Sequence, residues 1–148
     1  MTMHRRPLGR GRTLAALAGV LLVVGCALPW WKVGGGETGI TPLQGNGFEG
    51  SGIIVFLVGI ASLALVALPY ATGDRPLAID RWLSYLLLTI VGWIGFGIRV
   101  VALFLDGAFQ FTEPAQVFTN GPGLWLAAIG LGILSRATYD MAREPAYR

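Results

Sequence analysis

Long apolar runs dominate this sequence and dictate the medium it folds in. Thr13 to Trp31 and Ser51 to Tyr70 carry no charge at all, and Trp82 to Leu105 is interrupted only by Arg99. At about 1.5 Å per residue, each can cross a hydrocarbon core of about 30 Å. Such a run in lipid must be helical, because no water is there to satisfy backbone N–H and C=O groups. A fourth span is shorter in its apolar part, which runs from Leu124 to Leu134. Pro122 suits a first helical turn, where its missing N–H costs nothing. The helix can run on to Met141, with Arg136 and Asp140 reaching the inner headgroups. The alternative for so short a core is a re-entrant or interfacial segment.

The expected fold is therefore an all-α membrane protein, a four-transmembrane-helix bundle forming one membrane domain over residues 1–148. Its spans lie at about 13–31, 51–70, 82–105 and 122–141. Residues 32–50 and 106–121 form outer loops, and 71–81 the inner loop. Charged residues make up 13% of the chain, about half of ordinary globular usage, so there is too little charge for a soluble surface.

Basic residues predict the orientation. Arg5, Arg6, Arg10 and Arg12 precede the first span, Arg75 and Arg81 lie in the second loop, and Arg136, Arg143 and Arg148 lie in the tail. The first and third loops hold Lys32 as their only basic residue, beside Glu37, Glu49, Asp106 and Glu113. This bias predicts both termini in the cytoplasm. It is also unlike the footprint of a nucleic-acid-binding surface, and no nucleic-acid partner is expected. Trp30, Trp31 and Trp125 are expected as anchors at the outer interface, with Trp82, Tyr70, Tyr85 and Tyr139 at the inner one. Arginine outnumbers lysine ten to one, which fits a GC-rich bacterial genome and a multi-pass protein of the bacterial cytoplasmic (inner) membrane.

The first outer loop, KVGGGETGITPLQGNGFEG, is rich in glycine, with Gly34, Gly35, Gly36, Gly39, Gly45, Gly47 and Gly50. So much glycine predicts turns that need positive φ, either a small hairpin through Gly39-Ile40-Thr41 or a flexible linker. The third loop carries Phe109, Phe111 and Phe118 and is expected to lie flat at the interface.

Arg99 is the costliest residue in the chain. It lies six residues before the end of the third span, about 9 Å below it. An intramembrane charge is by default a functional-site hypothesis. Asp106, seven residues on and on the same helical face, is its candidate partner, and the acidic outer loops offer others. The structural alternative is that Arg99 snorkels to headgroups or makes one ion pair. The sharper one is an anion or lipid-headgroup site, or a contact with a partner helix.

Small residues at four-residue spacing, Ala15 with Gly19 and Ala128 with Gly132, let helix backbones approach closely, within the bundle or against another protein. Gly92, Gly95 and Gly97 weaken the third helix near Arg99. Val23-Val24-Gly25-Cys26 fits a lipobox after a basic segment and an apolar stretch. Lipidation at Cys26 would remove the first span, but the apolar run continues past it to Trp31.

Cys26 is the only cysteine and His4 the only histidine. That rules out a CxxC redox pair, a haem or metal site built from transmembrane histidines, and a Ser/His/Asp or Cys/His catalytic set. The apolar runs themselves contain no Asp, Glu or His, which argues against a proton-coupled pump. Gly34-Gly35-Gly36 lacks the Lys-Ser/Thr of a P-loop. Neither an enzyme nor a cofactor is expected.

Leu28-Pro29-Trp30 at the end of the first span, then Gly39, Gly45 and Gly47, and Gly121-Pro122-Gly123-Leu124-Trp125-Leu126-Ala127-Ala128 opening the fourth form a recognisable layout. It resembles uncharacterised small four-helix membrane proteins of GC-rich bacteria. That resemblance implies a fold and no activity. The tryptophan before a glycine-containing loop is also similar to claudin-like proteins, whose loop cysteine pair is missing here, so their function is not carried over.

The function expected is that of a non-enzymatic accessory, assembly or scaffold subunit of a larger membrane complex. Its partners would be the lipid bilayer and other membrane subunits or a second copy. The alternative is a small channel, transporter or lipid- or anion-binding protein that uses Arg99.

Overall fold

The computed structural model describes residues 9–35, 39, 41–72, 82–109 and 116–143. Arg5, Arg6, Arg75, Arg81, Arg148, Gly36, Glu37, Ile40, Phe111, Glu113 and most of the expected inner loop lie outside the described residues. The elements in chain order are α1 (Arg10–Ala27), β1 (Pro29–Val33), β2 (Leu43–Asn46), α2 (Gly52–Thr72), α3 (Trp82–Leu105), α4 (Gln116–Asn120) and α5 (Pro122–Arg143).

Among the described residues, three helices are long and apolar enough to cross a membrane: α1, residues 52–71 of α2, and α3. They mark the chain as a multi-pass membrane protein that is mostly helical. The fourth long helix, α5, has 22 residues but carries Arg136, Asp140 and Arg143 in its second half.

The first span differs from expectation at both ends. It begins at Arg10 and stops at Ala27, four residues before Trp31. Pro29 causes the stop. The residue before a proline is pushed out of the helical region, and Leu28 is extended at φ −85° and ψ 159°. The two tryptophans thereby pass from helix to strand, and the fold gains a two-stranded antiparallel sheet instead of being strictly all-α. Gly39 and Thr41 do lie between its strands.

Lys32 pairs with Gln44 and Trp31 with Gly45, but the next partners are Pro29 and Asn46. Trp30 is thus the extra residue of a bulge, which re-aims a side chain. It points into the core.

Small residues set the helix packing. α1 packs against both α5 and α2, α2 against α3, and α3 against α5, so the contacts close a ring. Along the α1–α5 seam, Gly11, Ala18 and Gly25 face Ala137, Gly130 and Gly123, each set on a heptad spacing. That is the period of left-handed helix pairs. A Cβ on Gly25 would lie 2.9 Å from the backbone N of Ala127 and 3.1 Å from the Gly123 carbonyl oxygen, so the approach requires glycine. Along α1–α2, Gly19 meets Gly59, and the Ser62 hydroxyl donates to the Ala15 carbonyl at 3.0 Å. Leu22, Val55, Leu131 and Leu134 fill the interior, while Leu57, Leu87, Ile98 and Phe104 face outward.

Candidate functional site

The strand hairpin carries Glu49 to Arg99. In α3, Arg99 is six residues from the terminal Leu105, on the side facing the turn between β2 and α2. Its Nη2 donates to Glu49 Oε2 at 3.0 Å. The Arg99 side chain is only 12% exposed, against 49% for Glu49, so the pair is open to its surroundings on the carboxylate side. Gly50 follows with φ 56°, a conformation that glycine adopts without cost. A Cβ there would stand 3.1 Å from Arg99 Nη1, so glycine both makes the turn and leaves room for the guanidinium. Arg99 Nε is buried without a hydrogen-bond partner.

The same carboxylate lies beside a tryptophan. A Cβ on Gly45 would overlap both Trp31 Nε1 and Glu49 Oε2, so the indole edge and the carboxylate sit over one backbone position. Trp31 Nε1 is buried and unpartnered. Gly47 makes equal room for Trp30, since a Cβ there would come within 2.8 Å of its indole ring. Two glycines thus underlie two tryptophans. The i, i+2 spacing of Gly45 and Gly47 at the end of β2 is the sequence signal for this seating.

Asp106 does not join this cluster. It is exposed just past the end of α3, its N–H donates to the Ala102 carbonyl at 2.8 Å, and it forms no ion pair with Arg99. The helix has ended there, and Gly107 turns the chain at φ 69°. The partner of Arg99 is instead Glu49, in the segment between α1 and α2.

Other singled-out residues fall in distinct places. Trp30 is fully buried, contrary to an interfacial anchor. Its Nε1 donates to the Gly25 carbonyl at 2.9 Å, and its ring meets Phe96 edge-on at 5.7 Å. Trp82 and Trp125 are partly exposed at opposite helix starts, and Trp125 stacks on Phe118 at 4.8 Å. Cys26 is buried with its sulfur 4.0 Å from the Gly52 carbonyl oxygen. Ala15 and Gly19 lie in the α1–α2 seam. Gly132 stands in open space on the exposed side of α5 with Ala128 only part-buried. The face of α5 used inside the chain is that of Gly123, Ala127, Gly130 and Ala137.

A second polar constellation lies between α3 and α5. Thr89 and Thr138 hydroxyls meet at 3.1 Å, and the Trp93 indole donates to Ser135 Oγ at 3.0 Å. Near the termini, Asp140 is only 16% exposed, 3.2 Å from Arg136 and 3.8 Å from Arg10. It ties α5 to α1 instead of reaching outward with Arg136.

Chemically, the Arg99 site offers one charge-assisted hydrogen bond and two buried donors. Among the described residues, no group of three or more His, Cys, Asp or Glu side chains could hold a metal ion. No family model matches the sequence, and no curated protein or solved structure shows significant similarity to it.

Proposed function

We propose that the chain is a four-helix bundle crossing a bacterial cytoplasmic membrane four times, with both termini inside. It acts there as a non-enzymatic accessory or scaffold subunit, bound to another membrane protein or to a second copy of itself. The helix α5, 22 residues long, reaches about 33 Å at 1.5 Å per residue, enough for a span. Its seam with α1 supports the fourth crossing.

The observation that carries the subunit role is the outward position of Ala128 and Gly132. Glycine in a helix interior is about 1 kcal/mol less favourable than alanine. Among the described residues Gly132 gains no packing to offset this, because no atom beyond its own stretch of helix lies within 4 Å of the Cβ position. A partner helix approaching closely over Ala128 and Gly132 does offset it. Purification in mild detergent with identification of co-eluting chains tests the role. Gly132→Leu should leave the chain folded and strip the partner away. A monomer that yields no cross-linked neighbour in membranes would sink the proposal.

The second reading is an anion- or lipid-binding protein that uses Arg99, and the unpartnered Nε at that residue favours it. Arg99→Leu separates the two. Loss of ligand binding with folding and assembly intact supports the second, and loss of neither leaves Arg99 as a structural pair.

A further inference from the structure

The α3–α5 seam opens into a groove of about 320 Å³ at the end of the bundle where α3 starts and α5 ends. Trp82, Leu86, Thr89, Ser135, Tyr139 and Ala142 line it. That volume lies at the lower end of the range of ligand sites, about 300–1,000 Å³. The hydroxyls in its wall are already engaged. Thr89 donates to the Tyr85 carbonyl at 2.7 Å, Ser135 to Leu131 at 2.8 Å and Thr138 to Leu134 at 2.9 Å. An occupant therefore meets hydrocarbon and aromatic rings and finds little free hydrogen-bonding capacity.

Charge is concentrated at the mouth. Tyr139 is 44% exposed and carries Arg143 at 4.2 Å and Arg136 at 5.4 Å from its ring centroid. Stacking on the ring holds both guanidiniums over the groove edge. The nearby carboxylate, Asp140, is bound by Arg136 and Arg10. Arg143 forms no ion pair among the described residues. Trp82 and Tyr139 are residue types that favour the headgroup boundary.

We propose that this groove holds one acyl chain of an anionic phospholipid whose headgroup phosphate rests on Arg143, with Arg136 beside it. The two parts of the site match the two parts of that ligand: an apolar slot open to the bilayer, and an arginine unpaired among the described residues at the level where phosphates lie. A neutral lipid satisfies only the first, and a free phosphate only the second. The site is separate from Arg99, which lies toward the opposite end of α3, and it does not rest on the subunit role.

The test uses the full chain, purified in mild detergent and stripped of lipid. Native mass spectrometry is run with dioleoyl phosphatidylglycerol, dioleoyl phosphatidylcholine and inorganic phosphate. One bound phosphatidylglycerol is expected, favoured over phosphatidylcholine by about fivefold for a single arginine, Arg143, near the surface. Inorganic phosphate should not displace it. Arg143→Gln, at an exposed position, should bring the preference close to parity. Ala142→Phe should fill the slot and reduce retention of both lipids. Equal binding of the two lipids by the unaltered chain overturns the proposal. So does a preference that survives Arg143→Gln, or displacement by phosphate alone. If Ala142→Phe fails to fold by circular dichroism, the Arg143→Gln comparison still decides, because it reads headgroup preference in a folded protein.

Discussion

Arg99 on α3 and Glu49 in the turn between β2 and α2, 50 positions apart in sequence, meet at 3.0 Å and pin the end of the strand hairpin onto the third helix. The pair is asymmetric, since the arginine is mostly buried and the carboxylate half exposed. Removing the carboxylate leaves a buried cation unpaired, the more costly way to break an ion pair. Removing the arginine leaves an acid that water can solvate. Glu49→Gln should therefore destabilise more than Arg99→Leu, by about 1–3 kcal/mol. Thermal unfolding in detergent of both single variants and the double variant checks this. Strictly additive effects would show that the two side chains do not interact.

Gly123 and Gly132 lie on the same helix in opposite environments. A Cβ on Gly123 would press within 2.6 Å of the Leu28 carbonyl oxygen, whereas one on Gly132 meets nothing. Gly123→Ala should cost about 1–3 kcal/mol through overpacking of backbone against backbone. Gly132→Ala should be neutral or stabilising in the isolated chain, by up to about 1 kcal/mol. Melting temperatures of the two variants in one detergent make the comparison.

Adjacent tryptophans should respond differently to loss of the indole N–H. Trp30 spends its N–H on the Gly25 carbonyl, while Trp31 Nε1 has no partner. Trp30→Phe leaves a buried carbonyl less satisfied and loses ring volume, an expected cost of about 1–3 kcal/mol. Trp31→Phe removes a donor that is already unpaired, so its cost should be smaller. The reverse ranking in chemical or thermal unfolding would contradict the bulge geometry.

Cys26 should be inert. Its thiol is enclosed between α1 and the start of α2, and a buried structural cysteine reacts slowly. Maleimide should label the folded protein in detergent far more slowly than the denatured chain. The intact mass should correspond to the full chain, because processing at Cys26 would remove most of α1, the helix that contacts both α2 and α5. A mass lacking everything before Cys26 would reverse this expectation.

Much of the architecture was legible from residue order. The bounds of α3, Trp82–Leu105, coincide with the third apolar run, and α2 and α5 begin at or next to their expected starts. Both α2 and α5 run two residues past their expected ends; α1 shifted most, and Pro29, the local cause of its early stop, was itself visible. Arg99 stood out because charge is rare in such helices, although its partner did not. Asp106 was near in sequence and on the same helical face, but Glu49 arrives only after the hairpin folds back. Ala128 with Gly132 had the right spacing for close packing, but the seam took the neighbouring stripe of Gly123, Gly130 and Ala137.

Sequence by itself thus determined where helices form, because lipid leaves an unpaired backbone no alternative. It did not determine which face of each helix turns inward. In a soluble helix the apolar side marks the core, but here both sides are apolar, and the inward face is set by small residues and hydroxyls that let backbones touch. Tertiary structure alone decided that Trp30 is buried while Trp31 sits over Gly45 at the edge of the Arg99–Glu49 pair. A bulge of one residue in a short strand sets that choice. Its cost or gain depends on contacts made only when α1, the hairpin and α3 come together.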